Sequence, residues 1–228
     1  VLRAVDFYDP EGREVEIRLD PLLAPQQNAA KYYKDYNKAK TAEQMLTIQL
    51  EKGTRELEYL NSVLENLSLA EGERDLQEIR QELVETGYLR RGKTAAKRQK
   101  RVSGKPMEFR SSAGLRISVG KNNSQNDQLT TKLAYKSDIW LHTQKIHGSH
   151  VILCTGGREV DDDTIVEAAK LAAWFSQARE GANVPVDYTP VKNVKKPAGA
   201  RPGMVIYSTC RTVNVAPEEG LVKKLQLS

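Results

Sequence analysis

Residues 119–153 read VGKNNSQNDQLTTKLAYKSDIWLHTQKIHGSHVIL and form the densest polar text of the chain. A Gly-Lys-Asn-Asn turn opens the stretch, and Gln125-Asn126-Asp127 follows it. All three histidines of the protein, His142, His147 and His150, lie near its end. The apolar alternation of Ile139 and Leu141 predicts a strand. Successive strand side chains point to opposite sides, so Asp138, Trp140 and His142 would share the face away from the core. His150–Cys154 reads as a second apolar strand, and Asn126 or Asp127 can cap a short helix running to Lys136. Polar groups gathered on loops beside strands point to a site.

The surrounding text extends this unit. Leu115, Ile117 and Val119 alternate with polar residues in a strand that ends at Gly120. Asp161-Asp162-Asp163 opens a helix with negative charge at its positive dipole end, and Ile165, Ala168, Ala169, Leu171, Ala172 and Phe175 give that helix a buried face. Val184–Tyr188, Met204–Tyr207 and Thr212–Val215 are further strands. A basic loop, Val191–Gly203, stiffened by Pro197 and Pro202, separates the first two. Mostly strands with two helices make residues 107–228 an α+β head.

Upstream the period changes. Leu2–Tyr8 and Val15–Leu19 predict a β-hairpin around Asp9-Pro10-Glu11-Gly12. From Tyr32 through Tyr36, Ala39, Glu43, Leu46, Leu50, Gly53, Leu57, Leu60 and Leu64 to Leu67, the steps alternate four and three, a coiled-coil seam weakened at Glu43 and Gly53. Ser68–Gly72 breaks it, and Leu76, Ile79 and Leu83 mark a short antiparallel return helix. That helix is too short to cover the seam, which then needs an upstream helix or a second molecule, as in a dimer. Residues 1–87 are thus expected to be a hairpin plus coiled-coil arm. Residues 88–106 form a linker whose surroundings, between Glu85 and Glu108, hold Arg90, Arg91, Lys93, Lys97, Arg98, Lys100, Arg101 and Lys105 and no acid.

Composition narrows the function. The formal net charge is +5. Residues 1–85 carry 11 basic and 18 acidic side chains, while residues 86–228 carry 24 basic and 12 acidic ones. The second part has the balance of a polyanion binder. No run of about 18 apolar residues signals a membrane span, and Val1–Asp6 has no signal-peptide pattern. The first residue is not Met, which suits a piece of a longer protein. Cys154 and Cys210 cannot make a disulfide framework at this length, which fits a reducing cytoplasm.

The candidate residues admit alternatives. Lys121, Asn122, Asn123, Gln125 and Asn126 either bond the loop's own backbone or contact phosphate and sugar, supported by Lys192, Lys195, Lys196 and Arg201. Asp138, Trp140, His142 and His150 are either structural, or place Trp140 against an unpaired base with the histidines bonding nucleic acid, or let Asp138 and the histidines hold a metal or act as acid and base. The spacing H-x4-H-x2-H is uncommon for zinc, so no metal, cofactor or catalytic residue is assigned.

These motifs resemble one family. GKNNSQND, DIWLHTQKIHGSHVIL, AAKLAAWFSQAR and VDYTPVKNVKKPAGARPGMVIY are similar to the RNA-binding carboxy-terminal domain of the NFACT family. IRLDPLLAPQQNAAKYYKDYNKAK resembles the family's entry into its middle coiled coil. The family's D-x-W-x-H signature falls on Asp138, Trp140 and His142, and His147 stands where many members have Pro. The family includes ribosome-associated quality-control factors and bacterial proteins named for fibronectin binding. The resemblance implies a non-enzymatic, cytoplasmic RNA-binding piece that contacts tRNA and large-subunit RNA of stalled complexes. It implies fibronectin as the alternative partner, reached by anchorless surface exposure. A metal-assisted nuclease is the third reading.

Overall fold

A computed structural model describes residues 1–90 and 104–227. The basic side chains at 91, 93, 97, 98, 100 and 101 of the expected linker therefore lie outside the described residues. The chain divides into two compact units, Val1–Glu56 and Leu57–Ser228.

In the first unit, β1 (Leu2–Val5) pairs antiparallel with β2 (Glu14–Ile17), as the turn residues predict. Asn28 fixes the approach to the helix: its side chain accepts from Asp20 N at 2.8 Å and donates to Asp20 O at 3.0 Å. Helix α1 starts at Pro25, whose fixed φ suits a first helical position, and runs to Ser68. Much of the seam read from the heptads is exposed, including Tyr32, Tyr36, Leu46 and Leu50.

In the second unit, α2 (Glu73–Glu85) runs antiparallel to the end of α1, since Tyr59 reaches Glu82 and Thr86 at its far end. The predicted seam is displaced by one residue here. Leu64 and Leu67 are exposed, whereas Tyr59, Val63 and Asn66 are buried. The cause is Tyr59, which stacks on Tyr88 at 5.7 Å and places its hydroxyl 2.8 Å from the Glu82 carboxylate. This anchor turns the buried face away from Leu64 and Leu67, while Leu60 stays half-buried against it.

The head is a six-stranded antiparallel sheet. Its strands are β3 (Met107–Arg110), β4 (Arg116–Val119), β5 (Ile139–Thr143), β6 (Val151–Cys154), β7 (Val184–Pro190) and β10 (Arg211–Val215), in the spatial order β10-β7-β5-β6-β4-β3. Helices α4 (Asp162–Trp174) and α5 (Glu219–Leu225) cover one face. Ile117, Val119, Leu141, Val151, Leu153 and Val186 point to that side and pack on Ala168, Leu171 and Ala172. Each fully buried aliphatic side chain contributes roughly 1.5–3 kcal/mol. Asp161-Asp162-Asp163 open α4 as expected, and Asp161 also caps it, accepting from Thr164 N at 2.6 Å.

The opposite sheet face carries a smaller cluster of Leu129, Trp140, Ile152 and Val191. It is covered by α3 (Asn123–Gln128), the π-helical turn Leu129–Leu133 that continues it, and the short pair β8 (Val194–Lys195) and β9 (Ile206–Tyr207). The α3 cap is Asn122, which accepts from Gln125 N at 2.9 Å; the sequence had pointed to Asn126 or Asp127. Mixed helices and an antiparallel sheet give the expected α+β class.

Candidate nucleic-acid interface

The second sheet face positions the candidate residues. Trp140 lies between Ile152 of β6 and Thr189 of β7, and His142 faces Asp187. The strand alternation read from the sequence holds, but this face is covered rather than open.

The asparagine-rich loop is turned inward toward α2. Asn122 Nδ2 donates to Glu78 Oε2 at 2.8 Å, and Gln125 Nε2 donates to the same oxygen at 2.6 Å. Glu82 accepts from Tyr59 Oη at 2.8 Å, Asn123 Nδ2 at 3.2 Å, and the Ser124 amide and hydroxyl, both at 3.0 Å. Burial pushes the Glu82 carboxyl above its ordinary range, and these donors act against that rise. Asn126 Oδ1 accepts from His150 N at 3.0 Å. Asn122, Asn123, Gln125 and Asn126 are all buried. The loop thus fastens the helical pair to the sheet, and the direction of its amides differs from the outward-facing reading. Lys121 is half-buried and lies 3.4 Å from the Asp75 carboxylate.

The Asp-x-Trp-x-His residues divide between holding the fold and lining a cavity. Buried Asp138 accepts from Tyr135 N at 2.8 Å and Thr155 N at 3.0 Å, tying two loops together. Trp140 is 1% exposed, so its ring face is closed to solvent, and its Nε1 has no hydrogen-bond partner among the described residues. An unmet buried donor costs about 1–3 kcal/mol. The Trp140 ring is parallel to His142 at 5.6 Å, edge-on to His150 at 5.3 Å and against Tyr207 at 4.8 Å. Tyr207 is held by Asp187, which accepts its hydroxyl at 2.7 Å and that of Thr212 at 2.6 Å.

This aromatic group borders a cavity of about 600 Å³, within the range typical of ligand sites. Tyr59, His142, His147, His150, Met204 and Tyr207 are among its walls. Burial holds the imidazoles of His142, His147 and His150 below the usual histidine range. The imidazoles in its walls are therefore uncharged near neutral pH, and the charged groups of the lining are Glu58 and Lys145. His150 Nδ1 lies 2.8 Å from Thr130 Oγ1. Gly203 borders the cavity at φ +76°, and a Cβ there would lie 2.9 Å from Asn123 Oδ1, so only glycine allows this approach.

The basic loop divides as well. Arg201 turns inward, donating to Thr86 O at 3.0 Å, with its guanidinium 5.3 Å from the Tyr88 ring centre. Lys196 lies 2.7 Å from Asp127. Lys192 and Lys195 are exposed. Lys192 N donates to Lys136 O at 3.2 Å, which brings in residues that the sequence reading passed over. Lys132, Tyr135 and Lys136 are exposed on the segment that encloses the second cluster, and Tyr135 is 74% exposed. Their signal was available as K-L-A-Y-K, a pair of lysines with an aromatic between them. Among the described residues, no group of three or more His, Cys, Asp or Glu could hold a metal ion. No described helix is long and apolar enough to cross a membrane.

Comparison with known proteins places this geometry. Residues 2–102 match the profile of the NFACT N-terminal and middle domains, and residues 105–208 match that of the NFACT protein RNA binding domain. The solved carboxy-terminal part of a fibronectin/fibrinogen-binding protein from Streptococcus suis is 39% identical, with a TM-score of 0.82, over 91% of this chain and 82% of that one. The chain belongs to the NFACT family. The Rqc2 homolog RqcH of Bacillus subtilis (strain 168) is 43% identical over 225 residues, which is 98% of this chain and 39% of that protein. Its counterpart in Streptococcus suis (strain 05ZYH33) is also 43% identical, over 99% of this chain and 40% of its own length. The NFACT chain described here therefore spans about two fifths of these curated relatives.

Proposed function

We propose that this NFACT chain is the RNA-binding part of a ribosome-associated quality-control factor, and that it contacts tRNA and large-subunit RNA of stalled nascent-chain complexes. It acts by binding, in the cytoplasm, without chemistry of its own. The observation that carries the reading is the match of residues 105–208 to the NFACT RNA binding domain, a stretch in which basic side chains outnumber acidic ones by 14 to 10. Likeness to RqcH supports the quality-control setting. The proposed grip combines Lys192 and Lys195 with the neighbouring Lys132, Tyr135 and Lys136. Exposed lysines neutralise phosphates, and an exposed ring offers a stacking surface.

The test is a salt titration of tRNA binding by fluorescence anisotropy. Binding that weakens steeply with salt is expected, because each neutralised phosphate releases counterions. Affinity that is flat between low and moderate salt would contradict the reading.

A second reading, binding of fibronectin by surface-exposed protein, is favoured by the name of the solved Streptococcus suis relative. Immobilised fibronectin presented to the purified chain discriminates it. Absence of binding at micromolar concentration removes this reading for the fragment.

A further inference from the structure

The cavity beside Trp140 combines three features that together select a ligand. Its interior is neutral, since burial keeps the imidazoles of His142 and His150 uncharged. Its walls are flat and aromatic, with His142 and Tyr207, both only partly buried, set against the Trp140 ring. Its edge is charged, with exposed Lys145 and, from the end of α1, exposed Glu58 among its lining residues. A buried phosphate has no cation to meet inside. A neutral planar ring with polar edges finds both stacking surfaces and hydrogen-bonding groups.

We infer that this cavity receives one unpaired base of a nucleic-acid strand, with the phosphates left outside near Lys145. The inference rests on the RNA-binding reading and names the part of the ligand that the head recognises. The base lies against His142 and Tyr207. Trp140, also in the lining but only 1% exposed, packs on both rings and holds them in place. The volume of about 600 Å³ exceeds what one base needs and accommodates its ribose as well. Glu58 repels phosphate and accepts hydrogen bonds, which favours an approach in which an exocyclic amine or a ribose hydroxyl faces α1 and the phosphates pass on the lysine side. A duplex cannot present a base in this way, so the head prefers single strands, loops or ends.

The experiment uses the 228-residue chain and a short single-stranded RNA carrying one 2-aminopurine, compared with the same strand made abasic at that position and with a duplex. Base entry between the rings quenches the 2-aminopurine. The abasic strand is expected to bind about tenfold more weakly, within the range that base–aromatic stacking gives. The variant Ile146→Trp, which fills the cavity from its lining, is expected to lose the quenching and the difference between strands while keeping the salt-dependent binding. Equal binding of the intact and abasic strands, without quenching, by the unsubstituted protein overturns the inference and leaves the RNA-binding reading standing. No binding of any strand at low salt overturns both. Because the abasic comparison needs no substitution, the outcome does not depend on the folding of Ile146→Trp.

Discussion

The head contains two polar clusters that look alike in sequence and differ in what they face. Asn122–Asn126 and His142–His150 both combine amide, hydroxyl or imidazole groups with nearby glycines. The first meets two buried carboxylates of α2, and its donors are taken up there. The second meets a cavity, with His142 edge-on to His150 and stacked on Trp140 beside open volume. A buried carboxylate surrounded by donors makes a fastening, whereas neutral rings around a cavity make a receptor. Burial alone does not separate the two; the chemistry of the facing element does.

The comparison can be broken by substitution, and the largest effect is expected at Glu82. Glu82→Ala leaves Tyr59 Oη, Asn123 Nδ2 and the Ser124 amide and hydroxyl without their acceptor, and urea unfolding should show a loss of about 3 kcal/mol. Next comes Asn122→Ala, which removes the α3 cap and one donor to Glu78, with an expected loss of about 2 kcal/mol. A loss below about 0.5 kcal/mol in either variant would break the fastening account.

Acidification sharpens the distinction, because the two clusters respond with opposite signs. The histidines are held below their ordinary value of 6.5 in the folded chain, so the unfolded chain takes up protons first as pH falls. Their contribution to stability is present above about pH 6.5 and is lost as pH falls toward their folded values. Glu82 is raised from 4.5, so its contribution is fully present below 4.5 and is lost as pH rises through its folded value. Glu82 and the histidines act against each other on the urea midpoint as pH falls, and His150→Gln should remove part of the histidine contribution, leaving a midpoint that falls less, or rises more, from pH 7.5 to 5.5 than that of the intact chain. A variant whose midpoint changes over this range as that of the intact chain does would contradict the neutral-ring description.

Smaller effects on folding are expected at the surface. Lys192→Ala combined with Lys195→Ala should leave the urea midpoint nearly unchanged, while reducing the slope of log affinity against log salt by about 1.5 for a single strand. Lys121→Ala, which removes a partly exposed pair with Asp75, should cost no more than about 1 kcal/mol.

Much of this fold was legible in the sequence. The alternation of Ile139, Trp140 and Leu141 fixed both faces of β5, because a strand's period is two and allows no drift. Asp161-Asp162-Asp163 announced the start of α4 through negative charge at the helix's positive end. The heptad was less reliable: Leu64 and Leu67 continued it faithfully, yet a single tyrosine with a buried carboxylate to reach displaced the packed face by one residue. Partners distant in sequence were not legible at all. Nothing local to Asn122 or Gln125 reveals Glu78, more than 40 residues upstream. Arg201 counted as a loop cation in the sequence, but the carbonyl it meets is on Thr86. The lysines and tyrosine at 132–136 were readable as K-L-A-Y-K, but they follow a loop far denser in amide side chains.

The central claim separates the fastening from the grip, and one measurement tests it most directly. RNA binding and urea unfolding would be recorded on the same samples of Asn122→Ala and of Lys192→Ala/Lys195→Ala. The account predicts that the asparagine variant loses stability but, where folded, keeps the salt slope of the intact chain. It predicts that the lysine variant keeps its stability and loses slope. An asparagine variant that unfolds like the intact chain yet fails to bind RNA would contradict the account, and would return the loop to the role of a direct RNA contact.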